Sequence, residues 1–133
     1  MSPMLLPVTL STASVLTVML LGLIVNVVRG RWKHRVPIGD GGNSDMLIRM
    51  RIHANFVEHV PLLLVLMALL ELAGANRIFL IVFGAALILF RVLHIIGMPR
   101  RAPNPYRIIG AAGSLLLMIL AAGYGLILVA TGS

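Results

Sequence analysis

Apolar residues fill four long runs along the chain, and polar residues crowd into the short stretches between them. Met1 to Val28 carries no charge, and it is too long and too poor in basic residues at its start for a cleaved signal peptide. A second run begins near Phe56 and reaches Gly74. "RIFLIVFGAALILFRVLHIIG" at 77–97 is a third, and "RIIGAAGSLLLMILAAGYGLILVATG" at 107–132 is a fourth. Each approaches the roughly 20 residues that cross about 30 Å of hydrocarbon as a helix. No alternating segments of about ten residues recur, as membrane strands would require. The pattern predicts an all-α integral membrane four-helix bundle, a single domain over 1–133 with spans at about 6–28, 45–73, 77–97 and 107–130.

The connections differ in kind. "RGRWKHRVPIGDGGNS" at 29–44 is polar and turn-rich, with Asp40 as a turn former and His34 solvated among basic neighbours. Gly74 to Asn76 is a tight turn. Met98 to Tyr106 holds three prolines and is predicted to be irregular. Asn43 or Ser44, followed by Asp45, forms the N-cap of the second helix. In the fourth run Gly110, Gly113, Ser114 and their small neighbours allow close helix packing in lipid.

Composition agrees with membrane insertion. The 133 residues are 59% hydrophobic and 11% charged, and the mean hydropathy is +1.03. Too few charges remain to cover a water-facing surface. The net charge of +7 does not indicate nucleic acid, because no interleaved aromatics or recognition motif accompany the basic residues. There is no cysteine, so disulfides, thiolate catalysis and soft metal sites are excluded. No metal site is expected, and any thiol chemistry needs a thiol brought by a ligand.

Charge also orients the bundle. The first and third connections and the helix ends beside them hold every Lys and Arg except Arg77. The positive-inside rule puts them in the cytoplasm and both termini in the periplasm. Arg49, Arg100 and Arg101 read as interfacial anchors there.

The second helix carries an unusual density of polar groups, "RMRIHANFVEHVP" at 49–61. At about 100° per residue, Arg51, Asn55 and Glu58 share one face, His59 flanks it, and Arg49 and His53 point the other way. Arg91 and His94 share a face of the third helix at the same end, and Arg107 opens the fourth. Taken singly, these are ordinary structural groups, and a buried Glu58–Arg91 pair is one such arrangement. Together they predict a binding site, since ionisable groups inside a membrane are costly unless they serve one. Guanidinium groups suit carboxylates, and a lone carboxylate suits an ammonium. A small zwitterionic peptide of net negative charge meets both demands, with apolar faces alongside for a lipophilic co-substrate.

These residues resemble the MAPEG family, the membrane-associated proteins of eicosanoid and glutathione metabolism. The marker is R-x-H-x-N-x-x-E followed by Pro: Arg51, His53, Asn55, Glu58 and Pro61. "FRVLH" with Arg91 and His94, "RAP" at 101–103 and the "GDGGN" turn of bacterial members extend the likeness. The resemblance implies a homotrimer in a bacterial inner membrane, with glutathione as co-substrate between subunits near the cytoplasmic face. Arg51, Asn55, Glu58, Arg91 and His94 would bind the peptide, with Arg29 reaching in from a neighbour. Arg107 would be catalytic, stabilising the thiolate. The implied function is a glutathione transferase or peroxidase acting on lipophilic electrophiles. Met98 stands where the eicosanoid enzymes of the family place a tyrosine, and Ile108 where the prostaglandin synthase has a serine, so prostaglandin synthesis is not expected. Those departures favour a second reading, a non-catalytic lipid-binding or scaffold protein on the same fold. A third, a small multidrug transporter, lacks the first-helix glutamate such carriers use.

Overall fold

The computed structural model describes residues 2–132 and is all-helical over them. Its helices are α1 (Pro7–His34), α2 (Ser44–Leu72), α3 (Arg77–Gly97) and α4 (Pro105–Thr131). All four are long and apolar enough to cross a membrane. The chain is a multi-pass membrane protein.

Local chemistry explains the helix ends. Asn43 caps α2, its side chain accepting from the Met46 amide at 2.9 Å, with Asp45 in the first turn. Asn76 caps α3 through the Phe79 amide, and Asn104 caps α4 through the Arg107 amide, both at 3.0 Å. Pro105 starts α4 at no cost, because its missing N–H would have been unpaired in the first turn. α1 runs six residues past its expected end at 28. Arg31, Lys33 and His34 occupy its last turn, where cations meet the negative pole of the helix dipole. Arg35 then adopts a left-handed φ of 54° and closes the helix.

The bundle has a definite neighbour order. α1 packs on α2 and α3, α4 packs on α3 and α2, and α2 also touches α3 across the middle. Among the described residues α1 and α4 are not neighbours. Leu16 of α1, Phe56, Leu63 and Met67 of α2, Leu80 and Leu87 of α3, and Leu117 of α4 meet in the core.

Close helix approach is built on glycine. A Cβ at Gly110 would collide with the backbone of His94 and the carbonyl oxygen of Phe90, and one at Gly113 with the Phe90 ring. Gly97 lies as tightly against the backbone of Arg107. Dispersion across this α3–α4 seam stabilises the pair in lipid, where burial of apolar area no longer separates protein from solvent.

The end opposite the basic connections is held differently. Glu71, near the end of α2, caps α1: Val8 N and Thr9 N donate to it at 3.0 and 2.8 Å, and Thr9 Oγ1 donates at 2.6 Å. A carboxylate thus meets the free amides and positive pole of a helix start. Tyr124 of α4 accepts from the Asn76 amide at 2.9 Å and packs edge-on against Phe79.

Replacing Gly110 with alanine pushes a methyl group into main chain that cannot rotate away. Gly110→Ala is expected to cost about 1–3 kcal/mol, the usual range for overpacking. Gly123→Ala, with nothing within 4 Å of its added carbon, is expected to be neutral or mildly stabilising. Thermal unfolding of both variants in detergent checks the contrast.

Candidate functional site

The basic end of the bundle begins with a lock between α1 and α2. Arg49 donates from Nε to Asp45 Oδ2 at 2.9 Å, and from Nη1 to Asn26 O and Oδ1 at 3.0 and 2.7 Å. Gly30 makes room for this crossing, since a Cβ there would strike the Arg49 side chain. Arg49 is therefore a helix-to-helix tie rather than the free interfacial anchor expected of it. His34, expected to be solvated, is tied in as well. Its Nδ1 lies 3.2 Å from Asn43 Nδ2 and its Nε2 2.7 Å from Asp45 Oδ2. The Asn43 amide can only donate, so a neutral His34 accepts at Nδ1 and donates Nε2–H to Asp45. Asp40 turns the chain as expected, accepting from the Gly42 amide at 2.9 Å.

One turn deeper, α2 and α3 meet through a buried cation. Arg91 is 1% exposed, and its Nη2 donates to Asn55 Oδ1 at 2.9 Å. Its Nη1 is buried with no hydrogen-bond partner. The Glu58–Arg91 pair does not form. Glu58 lies about 60° round the helix from Asn55, away from α3, so only the shorter Asn55 faces the arginine. The amide orientation of Asn55 follows: its oxygen is used inward, and its Nδ2 hydrogens are free to face outward.

Arg51 and Glu58 lie on the outer side of α2. Nη1 and Oε1 are 4.0 Å apart, and both side chains are about half exposed, at 54% and 53%. Counting 20 residues back from the far end of α2 puts the hydrocarbon boundary near Ile52. Arg51 then sits at the boundary and Glu58 about 9 Å inside it. A carboxylate facing outward at that depth is costly unless something covers it.

The remaining candidates surround this face. His94 is 4% exposed, and Arg91, Arg107 and His59 are its electrostatic neighbours. Arg107 is exposed at the start of α4, and Arg29 is exposed on α1. Arg29 hydrogen-bonds to none of the other candidates within this chain. His59 Nδ1 sits 2.7 Å from Asn55 O. The structure thus groups Arg51 with Glu58, Asn55 with Arg91 and His59, and His94 with Arg91 and Arg107, and leaves Arg29 apart. Among the described residues no group of three or more His, Cys, Asp or Glu is arranged to hold a metal ion.

An apolar groove starts about one turn beyond Glu58 and His59. Leu62, Leu63 and Leu66 of α2 and Met118, Ile119 and Ala122 of α4 line its first part, about 300 Å³. It continues past Leu66 and Ala122 to Gly132 as a space of about 700 Å³.

The polar groups that sequence reasoning missed are tertiary. Asn26 and Glu71 carry no helical-face signal of their own, and each acquires its role from another helix. Their one visible mark was a polar side chain inside an apolar run.

Comparison with known proteins adds to this geometry. The family model described as the MAPEG family matches residues 9–127. Inner membrane protein YecN of Escherichia coli strain K12 is 38% identical over 99 residues, covering 72% of this chain and 75% of that protein. The protein of the same name from E. coli O6:H1 strain CFT073 matches to the same extent. No solved structure matches the chain significantly.

Asn55→Leu is expected to destabilise the bundle by about 2–3 kcal/mol, because it strands a buried guanidinium whose one partner is lost. Adding Arg91→Met, which removes the stranded charge at similar volume, is expected to restore most of that loss. Unfolding of the single and double variants in micelles gives the coupling directly. Strictly additive losses would contradict the pairing.

Proposed function

The chain belongs to the MAPEG family, and on that premise we propose that it binds glutathione and joins it through its sulfur to lipophilic electrophiles, or uses it to reduce them. The observation that carries this reading is the outward-facing Arg51–Glu58 pair on a membrane-spanning helix, beside an Asn55 whose oxygen is taken by Arg91.

Glutathione presents two carboxylates, an ammonium, two peptide carbonyls and a thiol. Arg51 pairs with a carboxylate, Glu58 with the ammonium, and Asn55 Nδ2 donates to a carbonyl. Arg91 lies behind Asn55 and sets its amide, and His94 stands behind the site from α3. Arg107 is the catalytic group: a guanidinium beside the thiol lowers the thiol's pKa and raises the thiolate fraction. The groove between α2 and α4 accepts the lipophilic partner from the bilayer.

The exposed side of Arg51 and Glu58 is covered by a second copy of the chain in a homotrimer, whose Arg29 completes the peptide site. The relative's name gives that protein an inner-membrane location, and the same is proposed here. The basic end lies in the cytoplasm with both termini periplasmic.

A non-catalytic lipid-binding or scaffold protein is the second reading. The observation favouring it is the size of the groove beyond Leu66 and its wall of apolar side chains.

Isothermal titration of the detergent-solubilised protein tests the proposal. The wild type is expected to bind glutathione, with Arg51→Ala and Glu58→Ala each weakening it about 10- to 100-fold, as loss of a charge-assisted contact implies. No binding, or binding indifferent to both changes, overturns the reading. Co-purified lipid with no conjugation of 1-chloro-2,4-dinitrobenzene supports the second one.

A further inference from the structure

A thiol attacks as its thiolate, so its proton must go somewhere. Arg107 stabilises the anion, but a guanidinium has five N–H donors, no acceptor and no usable pKa. Glu58 is engaged by an ammonium in the proposed binding mode. His94 is buried behind the site, with its backbone sealed against Gly110. One titratable group at the site has no role so far: His59.

The hydrogen bond of His59 defines its chemistry. Nδ1 lies 2.7 Å from the main-chain oxygen of Asn55. A carbonyl oxygen only accepts, so Nδ1 carries the hydrogen, and the neutral ring keeps its lone pair on Nε2. The contact fixes the tautomer and holds the ring against its own helix. Nε2 is then the proton acceptor presented away from the Asn55 backbone.

Its position suits that task. His59 follows Asn55 by one turn and is rotated from it by only about 40°, toward the side of α2 that lines the groove. Leu62 and Leu63, the first groove residues of α2, come next in sequence. The imidazole is half-buried and stands between the groups that hold the peptide and the apolar space that admits the electrophile. Glu58 precedes it on α2, and His94 of α3 is its electrostatic neighbour, itself facing Arg91 on α3 and Arg107 on α4.

Resting on the glutathione reading above, we propose that His59 Nε2 is the base that removes the thiol proton of bound glutathione. The S–H bond breaks, its electron pair stays on sulfur, and the proton passes to Nε2. Arg107 balances the charge on the sulfur. With 1-chloro-2,4-dinitrobenzene the thiolate attacks the chlorine-bearing ring carbon, a C–S bond forms, and chloride leaves with the C–Cl electron pair. The imidazolium then gives its proton to water once the product has left, restoring the neutral ring.

His59→Gln tests this, because the glutamine amide keeps an N–H donor for Asn55 O and has no titratable nitrogen. Glutathione binding by titration calorimetry is expected to stay within about twofold, while conjugation at pH 7 falls about 100-fold, in the range for loss of a general base. The ultraviolet thiolate absorbance that wild type gains on binding glutathione is expected to vanish in the variant at pH 7. It should return as pH rises, so the variant's rate keeps climbing where wild type has levelled off. A variant that binds glutathione and keeps rate and thiolate signal within about twofold overturns the role of His59. So does one that loses affinity with an unchanged rate at saturation. Failure of the wild type to bind glutathione overturns the reading beneath it, and this inference with it.

Discussion

Arg91 donates one amine to Asn55 across 2.9 Å inside a helical membrane bundle, and much of the structure is arranged around that contact. A guanidinium cannot shed its charge, so in an apolar interior it must be hydrogen-bonded or be expelled. Asn55 is long enough to reach it and neutral enough to be buried beside it. The bond ties α2 to α3 at the level where α4 also closes in, with the Gly110 Cα against the backbone of His94. It also decides which end of the Asn55 amide is left for anything outside the chain.

α2 is consequently a helix with two polar faces doing different work. On one, Arg49 crosses to Asn26 of α1, and Asp45 collects Arg49 and His34 into a closed network. Arg49 reaches both helices and Asp45 holds two partners, so the network is a lock. On the other, Arg51 and Glu58 stand 4.0 Å apart, too far for a strong ion pair, and half exposed. In water such a pair contributes little. At membrane depth it is costly unless covered, and that difference is what the proposed binding surface rests on.

The two ends of the bundle also differ in character. At the far end, Glu71 is consumed by the α1 helix start and Tyr124 by the α3 start, so polarity there is spent on helix termini. The apolar groove between α2 and α4 runs from that end to Leu62, about one turn short of Glu58. A charged cluster at one level and an apolar groove beginning a turn beyond it are the two features behind the proposed reaction between a hydrophilic and a lipophilic partner.

The four helices, their order and the family motif were legible in the chain because membrane insertion is governed by the length and apolarity of contiguous segments. Asn43 as a cap and Asp40 as a turn former were equally local matters, decided within a few residues. The residues of the polar face could be named from helical periodicity, which is a property of one helix alone. Partner choice was not legible. Whether Arg91 would meet Glu58 or Asn55, whether Arg49 would stay free or cross to Asn26, and what Glu71 would cap depended on where neighbouring helices sit. Those positions are set by close contacts such as Gly110 on His94 and Gly30 beneath Arg49. Hydrogen bonds act over about 3 Å, so the hydropathy that places a helix in the bilayer leaves its side-chain partners to tertiary packing.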